Sequence, residues 1–560
     1  MSLILDLLDR EKVLLSERVM IDDMIAKINR YVTPYDYDPH VKEYYPGGEK
    51  GQDILDGTAQ DGLATAVNTI ISSVIPSDLR NFSIVPDNDI LMSNSAVNAW
   101  YASSSQHIFR KLSTSNLRTA SHPVLRDVYA KGTGCVFMTK SLDKRRFVFR
   151  PYPIGSFVIA EDEEGAVDTV MRRSRLTVRV LSSIVPRFGA GAGLSDIVRR
   201  LESQGKLDDP VELLHCVYPR PEVDKSEVTR STPVRAYPFA SVWIERENQH
   251  VIYEGGYLTN PYKVPRWTQY PGFPYGFGQI INVLADIRTL NKTKELTLRS
   301  VAKAIDPAVL VQQNEPMLSR GRRLRVAPGA MIAMRDINAM RAFESGDKID
   351  VAAITIQELQ NAINVGLGVD RMRIEAPSGD TQRSATEIAH RITTNNRQLG
   401  PGLSKIEDEY LEPIVLTALV MEAEDGNLED PPPEIFEDNR GSFVALAVRF
   451  EGTLARSARQ IDLTAITNFY TVLNMISPYS PEVKDLIRHD DVARLGAQAV
   501  GFSDNLLYTP DEVEVTRAQR KKEQQEAALQ QGLLQMGQMV NDIPPERLPQ
   551  ASNGTQAAAA

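Results

Sequence analysis

The sequence predicts a mixed α+β protein with several domains, and three observations support this. The chain has 560 residues, which is more than a single hydrophobic core accommodates. The spacing of apolar residues changes from helical to strand-like near Gly134 and returns to helical in the last third of the chain. The stretch from Gly278 to Gly368 is typical of a helix, a compact β insert and a returning helix.

The first part of the chain predicts helices separated by connectors. An amphipathic helix ends before Thr33-Pro34, and Asp56 or Thr58 caps a second helix that ends at Pro76. Further predicted elements are a strand at 82–85 and helices near 97–112 and 117–131. Alternating residues then predict strands at 135–139, 147–150, 156–160, 166–172, 213–218, 241–245 and 251–254.

The stretch from Gly278 to Gly368 shows the most regular helical spacing. Its first helix carries a face with steps of four and three residues, and Asp306-Pro307 ends it. This face is apolar at both ends and polar in the middle. It consists of Ile280, Leu284, Ile287, Asn291, Lys294, Leu298, Val301 and Ile305. A return helix is predicted from Asp350, after strands at 309–312, 324–326 and 330–334. Two long helices with a small β tip form a stalk that needs neighbours to cover its sides.

The last part predicts mainly helices. Residues 376–383 form a loop, and a capping box at 384–387 opens a long helix with a kink at Gly400-Pro401. After a boundary at Pro431–Pro433, the sequence predicts a strand at 443–450, helices at 461–475 and 509–540, and a disordered tail at 541–560.

Charge and composition exclude several classes of function. The chain has 63 Lys and Arg against 73 Asp and Glu, a net charge of −10, which is unlike a protein that coats nucleic acid. Its two cysteines, Cys135 and Cys216, lie in apolar contexts and indicate a reducing compartment. Apolar runs are far shorter than the roughly 20 residues of a membrane span, and the N-terminus lacks the order of a signal peptide. We expect a soluble cytoplasmic protein that does not contact membranes.

No local motif indicates a catalytic or metal centre. The seven histidines lie far apart, without the spacing of a zinc site or a triad. A Walker lysine motif is absent, and the run Gly189–Gly193 departs from G-x-G-x-x-G, so we interpret it as a loop between helices. The acidic turn Glu161–Gly165 could bind a cation, but a solvated hairpin tip is favoured. We expect no catalytic residues, no metal and no cofactor.

Several short runs, in this order, resemble the portal (head-to-tail connector) proteins of short-tailed bacteriophages over about residues 10 to 530. They are Asp53–Ala59, Lys131–Gly134, Pro153–Phe157 with Val167–Val170, His215–Arg220, Pro265–Trp267, Tyr275-Gly276, Ser384–Glu387 and Glu409–Pro413. Each run is weak alone, and their shared order carries the resemblance. The chain departs from the family at Phe277–Gln279, where relatives often have a proline, and at Asn395-Asn396, where relatives tend to be acidic.

The resemblance implies a portal fold of wing, stem, clip and crown. Mapped onto this chain, the wing is 1–275, the stem helices are 276–305 and 350–368, and the clip is 306–349. Residues 369–430 hold the channel loop, at about 374–384, and a long wing helix. Residues 431–540 form the barrel or crown, and 541–560 the disordered tail.

The resemblance also implies a function. Copies of the chain, usually twelve, would form a ring at one capsid vertex, through which double-stranded DNA is packaged and ejected. The expected partners are other copies of the chain, the major capsid and scaffolding proteins, terminase, the tail adaptor and the DNA. The expected location is the virion, after assembly in the host cytoplasm. An acidic chain suits this function, because each phosphate–lysine contact would hinder sliding of the duplex.

Two basic features are candidate sites. Arg320, Arg322, Arg323 and Arg325 cluster in the clip, and three interpretations remain: a solvated strand edge, docking of acidic partner surfaces, or DNA contact. Gln382 and Arg383 in the channel loop are candidates to face DNA, although Arg383 could instead pair with Asp380. Lys294, in the polar middle of the stem helix, is a further channel candidate.

Two other classes of function were weighed. A packaging ATPase or nuclease would need a phosphate loop or clustered carboxylates, and neither pattern is present. Another structural ring or adaptor of the head–tail junction is the alternative, which the long two-helix stalk and the chain length disfavour.

Overall fold

The computed structural model describes two compact units, residues 1–458 and residues 459–560. The residues it describes are 2–38, 50–76, 82–86, 94–141, 143, 145–188, 192–220, 236–305, 309–311, 340–342, 349–372, 402–432, 435, 446–450, 466–473, 475, 489–500, 508 and 510–541.

Helices occur in both units, with lengths from four to 32 residues. They are α1 Ser2–Tyr31, α2 Thr58–Val74, α3 Ser95–Ser113, α4 Leu117–Lys131, α5 Val178–Ile184, α6 Asp196–Ser203, α7 Gln279–Ile305, α8 Ile349–Gly366, α9 Val369–Met372, α10 Glu412–Glu424, α11 His489–Val500 and α12 Pro510–Asn541. A 3₁₀ turn spans Val185–Phe188, a π-turn spans Glu407–Leu411, and residues 402–406 and 466–473 are also helical.

The strands among the described residues all lie in the first unit. They are β1 Phe82–Pro86, β2 Cys135–Lys140, β3 Phe147–Tyr152, β4 Phe157–Glu161, β5 Val167–Thr177, β6 Pro210–Pro219, β7 Phe239–Glu245, β8 His250–Tyr257, β9 Tyr262–Lys263, β10 Thr268–Gln269, β11 Gly276–Phe277, β12 Val309–Val311, β13 Met340–Ala342 and β14 Leu446–Phe450.

Antiparallel pairing organises these strands. A five-stranded sheet has the order β4-β5-β6-β7-β8, so each strand pairs with its neighbour in sequence, and a three-stranded sheet has the order β3-β2-β9. Two connections of this sheet are short turns, at residues 162–166 and 246–249. In the first of them, Gly165 has a φ of 82° and the Asp162 carboxylate accepts amide hydrogen bonds from Glu164 and Ala166.

The main core of the first unit joins residues far apart in the sequence. Helices α2, α3, α4, the proximal part of α7 and α10 pack their apolar faces against one another. Strand β1 pairs with β14, with Phe82 opposite Phe450. The segment 446–450, which the predicted division assigned to the crown, therefore packs with N-terminal residues.

The predicted mixture of helices and strands is confirmed. The helix predicted from Leu117 to Lys131 has these bounds in the structure, and α7 and α8 occupy the positions predicted for the two stalk helices. β12 lies where a strand was expected, whereas β13 was not predicted, because Met340–Ala342 contains no β-branched or aromatic residue. The predicted strands at 324–326 and 330–334, the capping box at 384–387 and the kink at Gly400-Pro401 lie outside the described residues.

The second unit is mainly helical in its described residues. Asp490 at the start of α11 binds the guanidinium of Arg517 on α12 through two hydrogen bonds of 2.6 and 2.7 Å. The Tyr470 hydroxyl lies 3.1 Å from the His489 ring nitrogen Nδ1. The helix predicted at 509–540 is thus observed as α12, and residues 542–560 of the predicted tail lie outside the described part of the chain.

Candidate functional site

Helix α7 begins where two glycine-containing segments cross. Gly132 ends α4 with a φ of 100°, and a Cβ at this position would lie 2.2 Å from the carbonyl oxygen of Gly276. The Gly276 amide donates to the Thr133 hydroxyl at 2.9 Å, and the Trp267 amide donates to the Gly132 carbonyl at 2.9 Å. Only glycine permits two backbones to approach each other this closely. The contact therefore fixes the start of α7 against the end of α4.

A buried arginine joins three segments beside this crossing. The Arg266 guanidinium is almost fully buried, and its Nη2 donates to Glu409 at 2.7 Å and to the Gly165 carbonyl at 2.8 Å. Its Nη1 pairs with Glu161, and its backbone amide also donates to Glu409, at 2.8 Å. Two carboxylates and a carbonyl therefore compensate the buried cation, as such a charge requires.

A second buried cation ties the N-terminal connector to α4. The Lys131 ammonium lies 2.7 Å from Asp36 and 3.1 Å from Asp127. Burial by itself would lower the pKa of Lys131, but the two carboxylates outweigh it and raise that pKa. Arg126 pairs with the same Asp36 carboxylate. This network holds the segment between α1 and α2 against the end of α4, next to the contact between Gly132 and Gly276.

Asp56 clamps both helices of the α7–α8 hairpin to the start of α2. Its carboxylate lies 2.5 Å from the Lys294 ammonium on α7 and accepts from the Gln360 side chain on α8 at 2.8 Å. It also accepts a hydrogen bond of 2.8 Å from the amide of Thr58, the first residue of α2. Burial alone would raise the pKa of Asp56, but these hydrogen bonds outweigh it and hold that pKa at about 2.

Asn291 lies one helical turn before Lys294 on α7 and binds the backbone just before α2. Its side-chain carbonyl accepts from the amides of Leu55 and Asp56 at 2.7 and 3.2 Å, and its amide group donates to the Ile287 carbonyl at 2.9 Å. Asn291, in the polar middle of the predicted α7 face, thus accepts hydrogen bonds from two backbone amides of the segment between α1 and α2. An apolar residue at 291 would leave both amides without this acceptor.

The exposure of the apolar residues on the α7–α8 hairpin changes at the clamp formed by Asp56, Lys294 and Gln360. Ile280, Ile287 and Asn291 of the stripe are at most 4% exposed, whereas Leu298 is 57% and Ile305 is 79% exposed. Helix α8 shows the same change, because Ile363 is 0% and Ile354 is 61% exposed. The chain's own core therefore covers the proximal part of the hairpin and leaves the apolar distal part uncovered among the described residues.

Five of the runs that carried the resemblance take part in the contacts described above. Asp53–Ala59 reaches α7, Lys131–Gly134 crosses Tyr275-Gly276, and Pro265–Trp267 binds Glu409–Pro413 through the Arg266–Glu409 contact. The sequence also matches the family described as "Bacteriophage head to tail connecting protein" over residues 6–507. The chain belongs to this connector family.

Two relatives match this chain over most of its length. A protein of Bordetella phage BPP-1 named "Probable portal protein" is 26% identical over 517 residues, which cover 91% of this chain and 90% of the relative. A protein of Salmonella phage epsilon15 named "Portal protein" is 21% identical over 492 residues, which cover 86% of this chain and 83% of the relative.

The described residues include one of the predicted site residues. Lys294 lies on α7 with its side chain 29% exposed and its ammonium on Asp56. Gln382 and Arg383 of the predicted channel loop lie outside the described residues, as do the four clip arginines, Arg320, Arg322, Arg323 and Arg325. Their predicted roles stay predictions.

Sequence reasoning missed the buried ionic residues of the site. Arg266 and Glu409 both stood within recognised runs, but they are 143 positions apart, and no periodicity links them. Asp56 was interpreted only as a helix cap, and the structure adds its contacts to both hairpin helices. The signal available in the sequence was the presence of charged residues within the family runs.

The described part of the chain contains neither a candidate metal site nor a candidate membrane span. No group of three or more His, Cys, Asp or Glu residues there could hold a metal ion. No helix among these residues combines the length and apolar character needed to cross a membrane.

Proposed function

We propose that this chain is a phage portal protein. It forms a ring at one capsid vertex, a component of the virion, through which double-stranded DNA is packaged and ejected. The match to the connector family over residues 6–507 carries this proposal, together with two relatives named as portal proteins. In the same proposal, residues 1–275 and the helix after 384 form the wing, α7 and α8 the stem, 306–349 the clip and 431–540 the crown.

The uncovered distal hairpin supports assembly into a ring. Leu298, Ile305 and Ile354 are apolar and more than half exposed, and a lone chain in water gains nothing from exposing them. Copies related by rotation would cover these residues through head-to-tail contacts, which close into a ring. The number of copies expected from the family is twelve.

The experiment is negative-stain imaging of the purified chain, which should show flanged rings with a central channel. Leu298→Asp should abolish the rings, because it would bury a charge in the contact between copies. Ile197→Asp is the matched control, since Ile197 is also exposed, on α6, and should leave the rings intact. Rings that persist in Leu298→Asp, or wild-type chain without rings, would contradict the proposal.

The exposed charged face of α7 is proposed as the surface towards DNA. Arg288, Lys292 and Arg299 recur at helical spacing on an exposed face, roughly 100° around the helix from Leu298. Lys294 is proposed as a secondary contact, because Asp56 already binds its ammonium. Replacing Arg288, Lys292 and Arg299 with Gln should preserve rings and change the length or retention of packaged DNA. Unchanged DNA would contradict this surface.

Gln382 and Arg383 are proposed to line the channel beside this face. Deleting residues 378–383 should change the length or retention of packaged DNA. Particles with normal DNA would contradict this role.

The clip arginines are proposed to dock acidic surfaces of terminase and the tail adaptor. Reversing the charges of Arg320, Arg322, Arg323 and Arg325 should leave rings intact and impair attachment of these partners. Normal attachment by the quadruple variant would contradict this role. Contacts with capsid and scaffolding proteins are proposed for the wing, and assembly is proposed to take place in the host cytoplasm.

A structural rather than enzymatic role is part of this proposal, and the match to the head-to-tail connecting family supports it. An ATPase assay of the purified chain should give no activity above that of buffer. The alternative function, another structural ring or adaptor of the head–tail junction, would appear in images as a ring without the wide flange.

A further inference from the structure

Two described segments flank residues 373–401. Helix α8 ends at Gly366 and the short helix α9 follows it, whereas residues 402–406 begin the helix that leads into α10. The predicted channel loop, at about 374–384, lies between these two segments in the sequence. The contacts that hold the end of α8 and residue 402 therefore decide where the intervening segment leaves and rejoins the described core.

The end of α8 is held by a tyrosine of α4. The Tyr129 side chain is buried, and its hydroxyl donates to the Leu367 carbonyl at 2.6 Å. Leu367 is the first residue after α8, and Gly368 then turns the chain with a φ of 64°. Carbonyls at the end of a helix lack a donor within that helix. Tyr129 supplies such a donor at the point where α8 stops.

The start of the helix at residue 402 is held by a tryptophan. The Trp267 ring lies against Gly402, where a Cβ would be 2.7 Å from Cη2 of Trp267. Carbon atoms pack at about 3.5–4.0 Å, so a larger residue at 402 would displace the ring. The same ring contacts the Tyr129 ring edge to face, at 5.0 Å between centroids. Tyr129 and Trp267 thus form one aromatic pair that touches both segments.

We propose that Tyr129 and Trp267 are positioning residues for the segment between Met372 and Gly402, because this aromatic pair holds both of its ends. Displacing the Trp267 ring from the side of Gly402 moves the Tyr129 ring that packs against it. The hydrogen bond to the Leu367 carbonyl then weakens, so the two ends are coupled through two side chains.

Other contacts keep both segments folded when the aromatic pair is altered. Leu403 and Ile406 are buried in the core, and the Lys405 ammonium donates to the Gln269 side chain at 2.9 Å. At the end of α8, the Gln279 side chain donates to the Gly366 carbonyl at 2.8 Å. The expected effects are therefore local, and exchange of backbone amides measures them better than global unfolding does.

The pair has a direct use in a portal, a step that rests on the proposed function. The segment between Met372 and Gly402 contains the predicted channel loop. Holding both ends of this segment on one pair of side chains gives the loop a fixed base in each copy of the ring.

Hydrogen exchange of the full-length chain, measured by mass spectrometry, tests the contact at residue 402. Alanine favours helix over glycine, so helix propensity alone predicts that Gly402→Ala leaves exchange at 403–406 unchanged or slows it by up to about fivefold. The contact with Trp267 predicts the opposite sign, namely faster exchange at 403–406 and also at 367–372. Unchanged or slower exchange at 403–406, or acceleration there without acceleration at 367–372, would overturn the inference.

Gly496→Ala is the matched control for this substitution. Gly496 lies within α11, and a Cβ there would have open space around it. Exchange in α11 should therefore stay unchanged or become slower, which shows that a glycine-to-alanine change in a helix does not by itself accelerate exchange.

Tyr129→Phe tests the other end, because it removes only the hydroxyl. Exchange at 367–372 should become about fivefold faster, since the buried Leu367 carbonyl loses a donor. In this background, Gly402→Ala should add no further acceleration at 367–372, because the hydrogen bond that it weakens is already absent. Additive effects of the two changes at 367–372, or no effect of Tyr129→Phe there, would overturn the inference.

Tyr101→Phe is the matched control for the hydroxyl. Tyr101 is as buried as Tyr129 and also contacts a tryptophan edge to face, Trp100, at 5.1 Å. Its hydroxyl has no hydrogen-bond partner among the described residues. Its removal should leave exchange in α3 unchanged.

Packaged DNA then separates this inference from the proposed function. Tyr129→Phe should form rings and change the length or retention of packaged DNA, and normal DNA in particles with such rings would overturn the positioning role. Wild-type chain without rings would contradict the proposed function instead. The exchange measurements are made on the chain itself and decide the coupling in either case.

Discussion

The proximal and distal parts of the α7–α8 hairpin share one apolar pattern and have opposite surroundings. Ile280 and Ile287 are buried by the chain's own helices, whereas Leu298 and Ile305 continue the same stripe and are exposed. The clamp formed by Asp56, Lys294 and Gln360 marks the boundary. Helical periodicity thus indicates that a face is to be covered, but it carries no information on whether the same chain or another copy covers it.

The largest expected difference comes from truncating one residue on each side of the clamp. Ile287→Ala should lower the free energy of unfolding by roughly 3 kcal/mol, because it creates a cavity in the core. Leu298→Ala should change it by no more than about 0.5 kcal/mol in the unassembled chain. Urea unfolding of chain shown to be monomeric by sedimentation measures both values. Equal costs would mean that the chain itself covers the distal part.

A smaller effect is expected at the clamp, and it depends on pH. The pKa of Asp56 is about 2 in the folded chain and about 3.9 when unfolded. The carboxylate therefore contributes about 2 kcal/mol above pH ~4, and this contribution is lost as the pH falls towards 2. Asp56→Asn should be less stable by about this amount at pH 7, and its difference from wild type should disappear near pH 2.

Urea midpoints measured across this pH range test the clamp. Asp61→Asn serves as the control, since it removes a carboxylate from the exposed face of α2 by the same substitution. A constant difference between Asp56→Asn and wild type from pH 7 to pH 2 would show that the carboxylate's charge is not what stabilises the clamp.

The smallest effect is expected on the exposed charged face beyond the clamp. Glu295 pairs with Lys292 at 2.8 Å and with Arg299 at 2.5 Å, and both cations are more than 60% exposed. Exposed pairs of this kind contribute little, because water and salt screen them. Glu295→Gln should therefore leave the urea midpoint of the unassembled chain unchanged. A clear loss of stability that persists at high salt would indicate that this face is covered within the chain.

Local elements were predictable because their signals are local. Gly132 ends α4 where the sequence predicted, and Thr33-Pro34 follows the end of α1. The Asp162–Gly165 turn produced the expected β4–β5 hairpin. The pairing of β1 with β14 was not predictable, because it joins residues more than 350 positions apart and both strands are short.

The candidate site was predictable only in part. The family runs contained Arg266, Glu409 and Asp56, but single residues within them had no assigned contact. The π-turn was missed, because Glu407–Leu411 keeps the apolar spacing of an ordinary helix in sequence. Its detection required the backbone hydrogen bond from Glu412 to Glu407.

The order of most described helices and strands, the two-helix hairpin and the family were predictable from the sequence, because periodicity, caps and the order of short runs are properties of the chain itself. Which half of the apolar α7 face is buried, and which charged residues pair, became known only from the folded chain. Burial depends on residues distant in sequence, and an ion pair such as Arg266–Glu409 forms only when the fold brings its partners within hydrogen-bond distance.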